Sequence, residues 1–178
     1  MTFCERLGKI LRDRNCEIEN ESDYLSSAVL VPLVRREGRL GVLFEVRSTA
    51  LTWQPGDICF PGGRIELDDA GPEAAAVRET REELSLPDDA VDVIGPLNTM
   101  VSPIGVMIYP FAAYIRDFDL IRPNHGEVSE VFVAPLDYLL AVEPLTAHME
   151  VATRPLPDFP LNLLEASYAL DWKRRTTY

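Results

Sequence analysis

The stretch FPGGRIELDDAGPEAAAVRETREE, residues 60–83, decides how the rest of the chain is read. It opens on a glycine pair, Gly62 and Gly63, and closes on RETREE, which sets Glu79, Glu82 and Glu83 within five residues. Between the two the pattern turns helical from Pro72 to Leu84. Proline suits the first helical position, Gly71 can cap it, and Glu73 complements the positive helix end. Ser85, Pro87 and Asp88 then stop the helix. Each residue of an ideal helix turns by about 100°, so the three glutamates fall within an arc of about 100° and share a face. Val77 and Leu84 then point to the opposite side. The small side chains of Ala75 and Ala76 flank the carboxylates and are expected to leave room for a ligand to approach.

Two readings of RETREE compete. In the first it is a solvated acidic stripe, with Arg78 and Arg81 in local pairs each contributing a few tenths of a kcal/mol. Like charges four residues apart destabilise a helix by similar amounts, however, and a purely structural helix could spread its acids around. In the second it is a site for hard divalent cations, since carboxylate oxygens suit Mg2+ or Mn2+, which keep waters and add substrate phosphates. A loop with two glycines after a strand lets backbone groups come close to an ion or a phosphate. Most such triplets are simple turns. The succession of strand, glycine loop, acidic loop and carboxylate-bearing helix favours the cation site.

The bulk of the sequence narrows the partners. A chain of 178 residues with 47% hydrophobic and 26% charged residues reads as one globular domain that buries its own core. The net charge of -12, with no stripe of Lys and Arg, argues against a nucleic-acid surface. No apolar run approaches the roughly 20 residues of a membrane span. MTFCERLGKILRDR carries no apolar signal segment, so a cytoplasmic location is expected. The three cysteines, Cys4, Cys16 and Cys59, fit neither a disulfide framework nor a zinc site. His125 and His148 stand too far apart to be read as paired ligands and are expected to be ordinary surface or loop residues.

Periodicity supplies the scaffold. Residues 3–14 read as an amphipathic helix. SSAVLVPLVRRE (26–37) and GRLGVLFEVRS (38–48) read as two strands in a tight hairpin at Glu37-Gly38, with Arg47 ending an edge strand. A short strand in QPGDICF precedes the glycines. Strands are also expected in VDVIGPLNTMV and VMIYPFAAYIR around the turn SPIG, and EVFVAPLDYLLA reads as a strand entering a short helix. The final segment from Arg154 begins proline-rich and is expected to end in a helix. Strands on both sides of a central helix favour a mixed α/β sandwich.

These residues resemble the Nudix hydrolases, whose signature is a loop-helix-loop that starts at a glycine and runs through REUxEExGU, U being a bulky aliphatic residue. Gly63 and Arg78 through Leu86 match it closely. Thr80 takes an aliphatic position and Ser85 the late glycine, and 14 residues separate Gly63 from Arg78 where the common pattern has 13. Asp69 keeps the first spacing but is an aspartate where most members have glutamate. A narrower resemblance is to the members that hydrolyse coenzyme A, which carry LLTxR, then S or A, a spaced arginine and glycine, and FPGG. Leu43-Phe44-Glu45-Val46-Arg47-Ser48, Gly56 and residues 60–63 follow that layout, with Thr52 at the spaced arginine. The extra loop residue and EVSEVFVAPLDYL (127–139) are also habits of this subgroup.

The resemblance implies an α/β fold, a Nudix-type α/β/α sandwich with a mixed β-sheet and a catalytic loop-helix-loop, formed by a single domain over residues 1–178. It implies metal-dependent hydrolysis of a pyrophosphate bond in a small nucleotide, with coenzyme A or acyl-CoA giving phosphopantetheine and adenosine 3',5'-bisphosphate. ADP-ribose, a dinucleotide or a nucleoside triphosphate are the alternative substrates, and a non-cleaving nucleotide sensor is the alternative class. Mg2+ or Mn2+ would be held by Glu79, Glu82, Glu83 and the Gly63 carbonyl, with Glu127 a candidate general base or further ligand. Arg47, Gly62 and Gly63 would contact substrate. Arg78 would pair with Asp69 or Glu66 to hold loop and helix together. Nothing in the sequence decides between a monomer and a homodimer.

Overall fold

The structure, a computed structural model, describes residues 23–102, 105–152 and 173–177, with side-chain surroundings described as far as residue 147. The helix expected over residues 3–14 lies outside the described residues. The chain divides into two compact units after Leu136. In the first, β1 (Leu25–Arg36), β2 (Arg39–Arg47), β3 (Ile58–Cys59), β4 (Gly62–Arg64), β5 (Val91–Pro96), β6 (Met100–Val101), β7 (Val106–Ile115) and β8 (Val128–Pro135) form one mixed sheet. The helix α1 (Pro72–Leu84) packs on β1, β4 and β7.

β1 and β2 form the expected hairpin. Glu37 and Gly38 both have positive φ, 52° and 79°, as the two central residues of a tight type I′ turn require. β1 runs parallel to the whole of β7, from Leu25 opposite Val106 to Val34 opposite Ile115. Its other edge is shared. β2 pairs with it only over Leu33–Arg36, and β4 takes Ser27–Val29. Pro32 stands between these two pairings. The Leu30 N–H reaches the Pro61 carbonyl at 2.9 Å, so by alternation the nitrogen of Pro32 faces the same edge, at a point where neither neighbour needs a donor. β2 diverges here to pair with β3 through Glu45 and Val46 and with β8 along Gly41–Arg47. Arg47 therefore ends an interior strand and not an edge strand, because β8 returns from far along the chain to cover β2.

The core lies between α1 and the sheet. Ala28 and Leu30 of β1 meet Ala75 and Ala76 of α1 and Phe111 and Ala113 of β7. A second cluster joins Val34, Leu43, Leu84, Leu86, Ala90, Ile115 and Ile121. Ala75 and Ala76 are fully buried, so they do not leave space for a ligand; their small side chains let the helix sit close on β1 and β7. Thr80, also buried, has its hydroxyl bonded to the Ala76 carbonyl at 2.7 Å, which lets a polar residue occupy an apolar position.

In the second unit, β9 (His148–Ala152) and β10 (Lys173–Thr177) pair antiparallel, with Lys173 opposite Ala152 and Thr177 opposite His148. The helix expected at the end of the chain is thus replaced, over residues 173–177, by a strand. Its partner lies more than 20 residues upstream, and such pairing overrides local preference. The short helix α2 (Leu136–Ala141) follows β8 as expected.

α1 begins at Pro72 behind Gly71 and ends at Ser85, whose φ of 50° is left-handed. The Ser85 and Leu86 N–H groups both return to the Arg81 carbonyl. A residue with a Cβ is strained there, where the family pattern has glycine. Ser85→Gly is expected to raise stability by about 0.5–1 kcal/mol, read as a higher urea midpoint at unchanged slope. A lower midpoint would contradict this account of the helix end.

Candidate active site

The divergence of β2 from β1 opens a wedge, and the FPGG loop fills it. Phe60 stacks on Phe44 of β2 with ring centroids 4.8 Å apart, and Phe44 stacks in turn on Phe132 of β8 at 5.4 Å. Pro61 is fully buried. Gly62 has φ +152°, and a Cβ there would collide with the Ala28 carbonyl oxygen and lie 2.6 Å from Val29 Cα. Only glycine passes so close to β1. Its N–H donates to Glu83 Oε2 at 2.9 Å, which ties the loop to the last turn of α1. At Gly63 a Cβ would run into the Glu79 carboxyl group, 2.6 Å from both of its oxygens. The glycine loop and the helix glutamates thus occupy one place.

Arg78 fixes the approach to the helix. Its Nε and Nη2 grip Asp69 Oδ1 and Oδ2 at 2.9 and 3.0 Å, Nη2 also donates to the Arg64 carbonyl, and Nη1 donates to Glu79 Oε1 at 2.9 Å and Glu82 Oε2 at 3.4 Å. Asp69 accepts the Glu66 N–H as well, at 2.8 Å. The guanidinium holds the Asp69 carboxyl below the usual range, and the Arg78 proton is bound more tightly than usual. Of the two acids offered to Arg78 by the sequence, Asp69 is the partner; its shorter side chain suits the bidentate grip at this loop position.

Beyond Arg78 lie the acids Glu45, Glu79, Glu82, Glu83 and Glu127, coupled through their charges. Glu83 is 3% exposed and Glu45 of β2 is 1% exposed, whereas Glu82 stands at the rim with 60% of its side chain exposed. Burial, then repulsion from Glu45, pushes Glu83 up to about 8, against the lowering effect of the Gly62 N–H. Burial pushes Glu45 up to about 7, with the Cys59 S–H and Arg47 opposing and Glu127 adding. Burial also raises Glu79, with Arg78 opposing and Glu82 and Glu127 adding. Glu127, exposed in the loop before β8, therefore faces the same cluster. Its backbone carbonyl accepts the Ser48 N–H at 2.7 Å, and Asn124 Nδ2 donates to its Oε1 at 3.4 Å.

Glu45 is the site residue that sequence reasoning passed over. The available signal was an acid at the third inward position of an apolar strand, after Gly41 and Leu43, both buried. Its Oε1 accepts the Cys59 S–H at 3.3 Å and its Oε2 has no partner. Burial, then the Glu45 charge, raises the Cys59 thiol to about 12, so it stays protonated and donates. Arg47 lies beside this pair, with its Nε donating to the Trp53 carbonyl at 3.3 Å. Thr52 is exposed, as is His125; of His148 only the backbone, in β9, is described.

The donor set suits a hard cation: acid oxygens repelling one another, one of them bare and buried, over a backbone loop that a Cβ would block. Among the described residues, no three His, Cys, Asp or Glu side chains are yet drawn together around one point. Arg78 and Gly62 hold Glu79 and Glu83 in their present positions, and side-chain rotation within one helix face is what would close them on an ion.

The NUDIX domain model matches residues 24–155. The chain belongs to the Nudix family. It is 35% identical over 157 residues to the peroxisomal coenzyme A diphosphatase NUDT7 of Mus musculus, covering 86% of this chain and 66% of that protein. It is 40% identical over 114 residues to the uncharacterised Nudix hydrolase NudL of Escherichia coli K12, covering 64% of this chain and 59% of that protein. The chain therefore spans less than two thirds of the length of these relatives. The chain is similar in fold to the Caenorhabditis elegans Ap4A hydrolase binary complex, with a TM-score of 0.53 at 18% identity, over 64% of this chain and 83% of that one. It is likewise similar to the NUDIX domain of Shewanella oneidensis NrtR complexed with ADP ribose, with a TM-score of 0.52 at 20% identity, over 80% of this chain and 89% of that one. Both show the Nudix fold. Among the described residues no helix is long and apolar enough to cross a membrane.

Two measurements probe the Nudix loop-helix unit. Gly62→Ala is expected to destabilise the chain by at least about 2 kcal/mol, because the new methyl meets backbone atoms that cannot yield. An unchanged denaturation midpoint would contradict the packing described. The second concerns pH. Glu45 and Glu83 hold protons more tightly folded than at the ordinary value of 4.5, so the folded state binds more protons than the unfolded one up to about pH 8. Stability then falls as pH rises through that window. In chelator, Tm is expected to drop by several degrees between about pH 5 and pH 8. A flat or rising Tm would show that these acids are not buried as described.

Proposed function

We propose that residues 1–178 act as one hydrolase domain that cleaves the pyrophosphate bond of a nucleoside diphosphate derivative, with coenzyme A or acyl-CoA as the substrate. The observation that carries the choice of substrate is the 35% identity over 86% of the chain to a relative described as a coenzyme A diphosphatase. The layout of residues 43–63 supports it. The Gly56 N–H bonds the Arg47 carbonyl at 3.1 Å, so the glycine of that layout closes the loop that starts at Arg47.

On this reading Glu79, Glu82, Glu83 and the Gly63 carbonyl hold Mg2+ or Mn2+. When bound, the ion neutralises phosphate charge and supplies water of lowered pKa, which is how a chain of net charge -12 accepts an anion. The remaining steps belong to the chain. Arg47 offers a guanidinium to the phosphate oxygens. Arg78, gripping Asp69, keeps the loop and the helix in register and does not touch substrate. Glu127 takes the proton as water adds to one phosphorus. The bridging P–O bond breaks, and the second phosphate leaves with its electron pair. The products from coenzyme A are phosphopantetheine and adenosine 3',5'-bisphosphate.

The test is direct. Purified protein is incubated with coenzyme A, ADP-ribose or a dinucleotide in Mg2+ or Mn2+, and products are identified by mass spectrometry. The expected result is cleavage of coenzyme A to those two products. Intact coenzyme A beside cleaved ADP-ribose would reject the substrate, and no turnover of any of them would favour a nucleotide sensor. Glu82→Gln and Glu83→Gln are each expected to lower kcat at least about tenfold with the circular dichroism spectrum unchanged. Wild-type rates in both would remove these acids from the chemistry.

A further inference from the structure

Glu45 is out of place in an interior strand unless something beyond the protein meets it. It is 1% exposed, and its Oε2 has no hydrogen-bond partner in either protonation state, since a carboxyl O–H would also need an acceptor. An apolar or neutral residue would fill this position without leaving a buried oxygen bare. The layout shared with the coenzyme A-hydrolysing members has threonine at this point of the LLTxR segment, so the acid is a property of this chain.

The surroundings place Glu45 beside the glycine segment. Cys59, which ends β3, and Gly62, which begins β4, stand three residues apart; the first donates to Glu45 Oε1 at 3.3 Å and the second to Glu83 Oε2 at 2.9 Å. The segment from Cys59 to Gly62 therefore holds both carboxylates, one from β2 and one from α1. Arg47 is the neighbouring cation and makes no hydrogen bond to Glu45; its Nε is turned to the Trp53 carbonyl.

We infer that Glu45 is a further ligand of the divalent cation, reaching it through Oε2 from the strand side while the Cys59 S–H holds Oε1 in place. The inference rests on the metal-binding reading of the helix glutamates and adds to it a donor from outside the loop-helix-loop. The cation would then be gripped between helix and sheet and not by the helix alone, and its binding would lock β2 and β3 to α1. Cys59 becomes a positioning residue, kept as a thiol because a protonated donor is what Glu45 needs.

The test is Mn2+ binding by the purified full chain, without substrate, measured from free Mn2+ in electron paramagnetic resonance titrations. Glu45→Gln removes the charge and keeps the shape. Glu45→Leu, which fills the buried position with no polar atom, serves should the amide be poorly accommodated. Asp119→Asn, an exposed acid outside the site, controls for lost charge, and Glu82→Gln reports on the helix ligands. The expected result is at least about tenfold weaker Mn2+ binding in both Glu45 variants, with Asp119→Asn within about twofold of wild type. The rise in Tm on adding Mn2+ should shrink in the Glu45 variants, while their Tm in chelator stays at or above that of wild type. Weakening in Glu82→Gln with none in the Glu45 variants overturns this inference and leaves the helix site standing. Failure of the wild type to bind Mn2+ overturns both.

Discussion

The hydrogen bond from the Gly62 N–H to the Glu83 carboxylate is the constraint on which the rest of the site depends. It joins the first residue of the short strand β4 to the last turn of a helix, through an acid that is almost wholly buried. Each side is fixed independently. The loop is held by Phe60 on Phe44 and by the close passage of Gly62 over β1, and the helix is seated by Ala75 and Ala76 against β1 and β7. A carboxylate buried without such a donor would be strongly destabilising. With the bond in place, Glu79 comes to lie over Gly63, and Arg78 can reach both ends of the intervening loop.

The site concentrates negative charge in a chain that already carries an excess of it. Folding brings the charges of Glu45, Glu79, Glu83 and Glu127 to bear on one another, and among the described residues Arg78 and Arg47 compensate in part. Such an arrangement opposes stability unless a cation completes it, and functional sites are where opposition of this kind is retained. The split edge of β1 makes the arrangement possible. β4 and β2 share that edge without meeting, Pro32 asks for no partner between them, and the gap gives carboxylates from a strand and a helix a common place to point.

Much of this was legible in the sequence, because the informative features were local. The bounds of α1, its start at Pro72 and the hairpin at Glu37-Gly38 follow from turn chemistry and periodicity over a dozen residues. The three glutamates and their common face are fixed by helical geometry alone. What the sequence hid was non-local. That Arg47 ends an interior strand depends on β8, and that residues 173–177 form a strand depends on β9. Glu45 could be quoted as part of a motif yet not recognised as part of the site, since only the tertiary fold shows that the inward face of β2 meets the end of α1. Ala75 and Ala76 were misread for a related reason: small residues beside a functional face can serve close packing as readily as access.

The central claim is that carboxylates from α1 and the glycine loop form one cation site in the wedge between β1 and β2. The most direct measurement is an anomalous difference map from a crystal of this protein soaked in Mn2+. The account predicts a peak within coordination distance, about 2.0–2.6 Å, of carboxylate oxygens from at least two of Glu79, Glu82 and Glu83. A map with its manganese peaks only on surface acids, and none between α1 and the glycine loop, would contradict it.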